Sequence, residues 1–77
     1  MSENRKVLQI STPFIKLESA LKLANAVYSG GEAKALIQEG NASVNGEVCT
    51  MRGKKLYPGD QVDFMGQSFK ISGNESD

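Results

Sequence analysis

An α+β fold, with two short packed helices followed by a small antiparallel sheet of hairpins, is predicted by three features of the sequence. Apolar residues recur at spacings of three and four between Leu17 and Ile37, then alternate with polar ones from Ala42 onwards. Those are the periods of a helix face and a strand face. Gly40 stands where the period changes, and Asn45-Gly46 and Tyr57-Pro58-Gly59-Asp60 supply turn chemistry between the alternating runs.

The elements follow in chain order. Val7-Leu8-Gln9-Ile10 reads as a short strand, punctuated by Ser11-Thr12-Pro13, because proline fixes its own φ and extends the residue before it. Leu17, Ala20, Leu21, Ala24, Val27 and Tyr28 form one apolar stripe, which predicts helix one over about 17–27 with Tyr28 at its inner end. Ser29 with Glu32 three residues on has the pattern of a capping box. Ala33, Leu36 and Ile37 give the second stripe, and Gly40 suits the left-handed position just past a helix end, so helix two covers about 30–39. Two helices joined so tightly pack as a corner.

Beyond Gly40, Ala42 and Val44 lead into Asn45-Gly46, and Glu47-Val48-Cys49-Thr50 returns antiparallel. Met51 to Lys55 is a basic loop. Pro58 and Gly59 fill the centre of a type II turn. Val62 and Phe64, then Phe69 and Ile71, alternate around Met65-Gly66-Gln67-Ser68 as a second hairpin.

With 77 residues the chain has room for one domain, and a domain of this size buries only about 60% of its unfolded surface. Residues 1–6 and 73–77 are polar and charged and read as tails, leaving 7–72 as the folded unit. Cys49 is the only cysteine, which excludes an internal disulfide or a zinc site of several thiolates and fits a reducing, cytoplasmic setting. The apolar stretch near the N-terminus is too short for a signal-peptide core or a membrane span. Net charge is zero, but its distribution is uneven. Met1 to Gly59 carries eight basic and five acidic residues, and Asp60 to Asp77 one basic and four acidic. The body is mildly basic and the tail acidic.

From Leu17 to Asp60 the chain resembles the S-four RNA-binding domain. The resemblance rests on an amphipathic helix, Ser29 opening a second one, Ala33-x-x-Leu36-Ile37-x-x-Gly40, the turn Val44-Asn45-Gly46 and the closing Gly59-Asp60. Ser29-Gly30-Gly31 and Arg52-Gly53-Lys54-Lys55-Leu56 are similar to the small stand-alone bacterial members of the YaaA/YbcJ type. Many members carry an arginine directly after the serine, where this chain has Gly30. The resemblance implies an alpha-L motif, in which the helices and adjoining strand loop present one face to structured RNA. That face would take Lys16, Lys22, Ser29, Lys34, Asn45, Arg52, Lys54 and Lys55.

The residues themselves bear on this expectation. Lys22 and Lys34 lie off the apolar stripes, where a long ammonium can reach phosphate, although most single surface lysines serve solubility. Arg52, Lys54 and Lys55 put three cations in four residues around a flexible glycine, a denser signal, whose alternative role is to protect a sheet edge. Free amides at the start of helix two favour an anion, but Ser29 and Glu32 compete for them, so the pair is expected chiefly to cap. Phe64 and Phe69 sit at inward strand positions, leaving only Phe14 and Tyr57 as candidate stacking contacts. Recognition by shape and phosphate is therefore expected over the reading of a single strand.

Catalysis is disfavoured. There is no histidine, the carboxylates are scattered, and Cys49 has no base to activate it. Asp60 reads as a turn residue bonding its own backbone. No phosphate loop, cofactor motif or metal-ligand cluster is present in the sequence. The expected partner is ribosomal RNA, a ribosomal subunit or transfer RNA, bound by a monomer. The competing class is a protein-interaction module whose basic face docks an acidic partner.

Overall fold

The computed structural model describes residues 5–73, and Gly40 separates its helices from the hairpins that follow. The order is β1 (Arg5–Gln9), β2 (Ile15–Lys16), α1 (Leu17–Leu23), α2 (Gly30–Gln38), β3 (Ala42–Val44), β4 (Glu47–Val48), β5 (Lys55–Leu56), β6 (Gln61–Phe64) and β7 (Gln67–Ser72). β1 starts at Arg5, so Arg5 and Lys6, expected in the N-terminal tail, belong to the sheet. The rest of that tail and residues 74–77 lie outside the described residues.

Helix one is shorter than its stripe. After Leu23 the chain closes a Schellman motif: Ala26 N donates to Leu21 O at 2.9 Å and Asn25 N to Lys22 O at 3.0 Å. Asn25 takes the left-handed conformation at φ 61°, which asparagine tolerates better than most residues. Val27 remains buried, but Tyr28 lies beyond the helical period and is 95% exposed, not in the core as the stripe suggested. The same motif ends α2 at the expected glycine, with Gly40 N to Ile37 O at 3.0 Å, Asn41 N to Leu36 O at 3.2 Å and Gly40 at φ 89°.

Five strands form one sheet in the order β1-β7-β6-β3-β4, and β2 pairs with β5 in a separate ribbon. The hairpins are antiparallel and both turn on two residues with positive φ: Asn45-Gly46 at 52° and 89°, and Met65-Gly66 at 49° and 86°. The second turn is tighter than the four residues expected, because Gln67 already pairs with Phe64. β1 joins the far edge in parallel with β7, which makes the sheet mixed. Inward positions form the core. Val62 and Phe69 are opposite each other, as are Ala42 and Phe64, and all four are buried with Leu17, Leu21, Ile37, Leu56 and Ile71. Each large side chain so buried stabilises the fold by about 1.5–3 kcal/mol. No helix among the described residues is long and apolar enough to cross a membrane.

Candidate nucleic-acid interface

The basic loop 51–55 is held in place by the start of α1. Lys16, the N-cap residue, is extended and offers no side-chain cap. Instead Leu17 N donates to Lys54 O at 2.8 Å, and Glu18 N to Arg52 O at 3.1 Å. A helix start leaves its first amides without partners inside the helix. Here the loop that carries Arg52, Lys54 and Lys55 supplies them, so its cations take their position from the helix.

A line of charged groups then runs along the helices. Arg52 Nη1 lies 3.8 Å from Glu18 Oε1, the only ion pair among the described residues. The pair is partly exposed and contributes at most about 1 kcal/mol, but it sets a carboxylate against one cation of the loop. Lys22 stands four residues after Glu18 on the same side of α1. Its Nζ lies 4.0 Å from where a Cβ on Gly30 would stand. Lys34 follows Gly30 by one helical turn and is exposed. Lys22 therefore brings its ammonium to the first residue of α2.

Ser29 caps α2 as expected: its Oγ accepts from Glu32 N at 3.2 Å. The reciprocal bond is displaced by one residue, since Glu32 Oε1 accepts from Tyr28 N at 2.7 Å and not from the Ser29 amide. Asn45 has an architectural role. Its Nδ2 donates to Asp60 Oδ1 at 3.1 Å and its Oδ1 accepts from Gln61 N at 3.0 Å, so both ends of the amide are engaged inside the protein. Asp60 also accepts from Tyr57 N at 2.8 Å and closes the turn, with Asp60 N donating to Tyr57 O at 2.9 Å and Gly59 at φ 101°.

The ribbon brings together residues that are distant in sequence. Ile15 pairs with Leu56 and faces the core, while Lys16 pairs with Lys55 and faces out. Phe14 and Tyr57 continue that outer face with ring centroids 5.9 Å apart, and Lys55 Nζ stands 4.9 Å over the Phe14 ring. An open groove of about 470 Å³ adjoins it, bordered by Val48, Met51, Lys54, Lys55 and Tyr57, with Glu47 and Asp60 also in its lining.

A family model described as the S4 domain matches residues 8–72. The chain belongs to the S4 domain family. Over 65 residues it is 44% identical to the Bacillus subtilis protein named "Probable ribosome maturation protein RlbA", covering 83% of this chain and 92% of that one. It is 37% identical over 59 residues to YbcJ of Escherichia coli, covering 77% of this chain and 84% of that one. A solution structure of YbcJ, described as revealing an alpha-L motif involved in RNA binding, superposes with a TM-score of 0.67 at 33% identity. That superposition covers 86% of this chain and 85% of YbcJ.

The S4 domain match contains every candidate residue from Lys16 to Lys55. Sequence reasoning named the six cations but missed two relations among them. Glu18 was not seen as the partner of Arg52, because nothing local links residues so far apart. The pairing of Lys16 with Lys55 was missed although a signal existed: Phe14-Ile15-Lys16 and Lys55-Leu56-Tyr57 each alternate about one apolar centre.

Proposed function

We propose that this S4 domain binds folded RNA, ribosomal or transfer RNA in ribosome assembly or translation, by shape and phosphate contacts and without catalysing a reaction. The observation that carries the reading is the capping of α1 by the carbonyls of Arg52 and Lys54. It fixes the backbone of the loop that carries Arg52, Lys54 and Lys55 against the start of α1, beside Lys16, and cations held on a fixed backbone bind phosphate with less loss of chain freedom. Lys16, Lys22, Lys34, Lys54 and Lys55 are the principal contacts. Arg52 contributes in competition with Glu18, the Ser29 hydroxyl is peripheral, and Asn45 serves the scaffold. The name given to RlbA and the motif described for YbcJ support the same reading. The domain acts as a monomer in the cytoplasm.

The test is recovery of RNA after crosslinking the tagged protein in cells, with Arg52→Glu/Lys54→Glu/Lys55→Glu as control. Enrichment of a defined ribosomal or transfer RNA region, lost in the variant, is the expected result. Recovery equal to the variant's would overturn the reading in favour of an acidic protein partner.

A further inference from the structure

We infer that the outer face of the β2–β5 ribbon is a stacking site for an unpaired nucleotide flanking the folded RNA. The inference rests on the RNA-binding reading and adds the chemistry of one subsite to it. Lys16 and Lys55 are direct cross-strand neighbours, an arrangement of like charges that destabilises a ribbon. Among the described residues no carboxylate pairs with either. A phosphate between them relieves the repulsion.

Phosphate alone does not account for the aromatic pair beside those lysines. Tyr57 is 49% exposed and packs against Phe14, whose ring already lies beneath Lys55. Val48 and Met51, 65% and 64% exposed, continue the apolar surface along the groove. Exposed apolar side chains gathered around aromatic rings mark a binding surface. Bases within a duplex have their faces covered by their neighbours, whereas an unpaired base offers a free face to Tyr57 and its phosphate to Lys16 and Lys55. The Tyr57 side chain can be replaced without opening its turn, because it is the backbone amide that bonds Asp60.

The chain has no tryptophan and two tyrosines, so in a Tyr28→Phe protein the tyrosine emission reports on Tyr57 alone. Two RNA probes are titrated, a hairpin with a single-stranded adenosine tail and the same hairpin cut blunt. The tailed hairpin is expected to bind roughly 5- to 150-fold more tightly, the range for one stacked base. It should quench the Tyr57 emission, which the blunt one should leave unchanged. Tyr57→Leu should abolish the advantage of the tail while leaving blunt-hairpin affinity intact, and Tyr57→Phe should retain it. Equal affinity of both hairpins for the wild type, or a tail advantage that survives Tyr57→Leu, overturns the stacking site and leaves RNA binding standing. Failure of both hairpins to bind overturns both readings.

Discussion

Moving a cation from α1 to α2 tests the geometry of the helical face. Lys22→Ala removes the ammonium beside Gly30, and Gly30→Arg then starts a guanidinium side chain at a Cβ position 4.0 Å from the lost Nζ. Gly30 is not in the left-handed region, so a side chain there adds no backbone strain. Replacing glycine gains about 0.4–1 kcal/mol through the unfolded chain. A cation at a helix N-terminus loses about 0.3–1 kcal/mol. The double variant should therefore unfold within about 1 kcal/mol of the wild type. Binding is read by fluorescence anisotropy with the crosslinked RNA over a fourfold range of salt. One phosphate contact contributes about one unit to the slope of log affinity against log salt, or about a 3.5-fold change over that range. Lys22→Ala should weaken binding and flatten the slope by about one unit, and Lys22→Ala/Gly30→Arg should restore both. A double variant that folds normally yet binds no better than Lys22→Ala refutes the equivalence of the two positions.

Three further outcomes follow from the contacts. Glu18→Gln releases Arg52 from the ion pair at 3.8 Å and should tighten RNA binding by up to roughly 5-fold, the equivalent of about 1 kcal/mol. Unchanged or weaker binding would mean that Glu18 does not compete for Arg52. Asn45→Gly keeps the positive φ of the turn and deletes the bonds to Asp60 and Gln61. Urea unfolding should show a loss of about 1–3 kcal/mol with RNA affinity per folded molecule unaltered; lost affinity at full stability would return Asn45 to the interface. Leu56→Ala empties a fully buried site and should cost about 2–5 kcal/mol, so a urea midpoint close to wild type would contradict the anchoring of β5 in the core.

Local signals made the helices and both hairpins legible, because Ser29, Gly40 and Asn45-Gly46 act on their immediate neighbours. The errors arose where the deciding contact is distant or the residue unusual. The parallel pairing of β1 with β7 joins the two ends of the described chain, and no period or turn residue can announce it. Asn25 ends α1 from within a stripe that continues to Val27 in the core, so periodicity alone carried the helix too far and took Tyr28 inside. Met65 adopts φ 49° although its side chain gives no reason to expect it, and Gly66 beside it was the better guide to a two-residue turn. For the site, the cation types were readable but their company was not. Which lysine faces another lysine and which arginine faces a glutamate depends on the ribbon and on the loop that caps α1.

Zero net charge is compatible with a phosphate-binding face because the two signs are used differently. Three carboxylates serve as internal acceptors: Glu32 for the Tyr28 amide, Asp60 for the Tyr57 amide and Asn45, and Asp63 for the Ser68 hydroxyl at 2.7 Å. Among the described residues, Lys6 alone of the lysines donates to a carbonyl, capping α1 through Ala24 O at 3.2 Å. Lys16, Lys22, Lys34, Lys54 and Lys55 keep their ammonium groups at the surface. At physiological salt the field of an exposed charge decays over about 8 Å, whereas the molecule measures 39 × 31 × 23 Å. A phosphate at Lys16 and Lys55 therefore responds to the nearby ammonium groups, and to Asp60 in the adjoining groove, more than to charges a molecular width away. In 0.01 M salt, where the screening length grows to about 30 Å, carboxylates beyond the groove should also come into play and bend the salt plot below a straight line; a plot that stays straight would refute this balance of near and far charge.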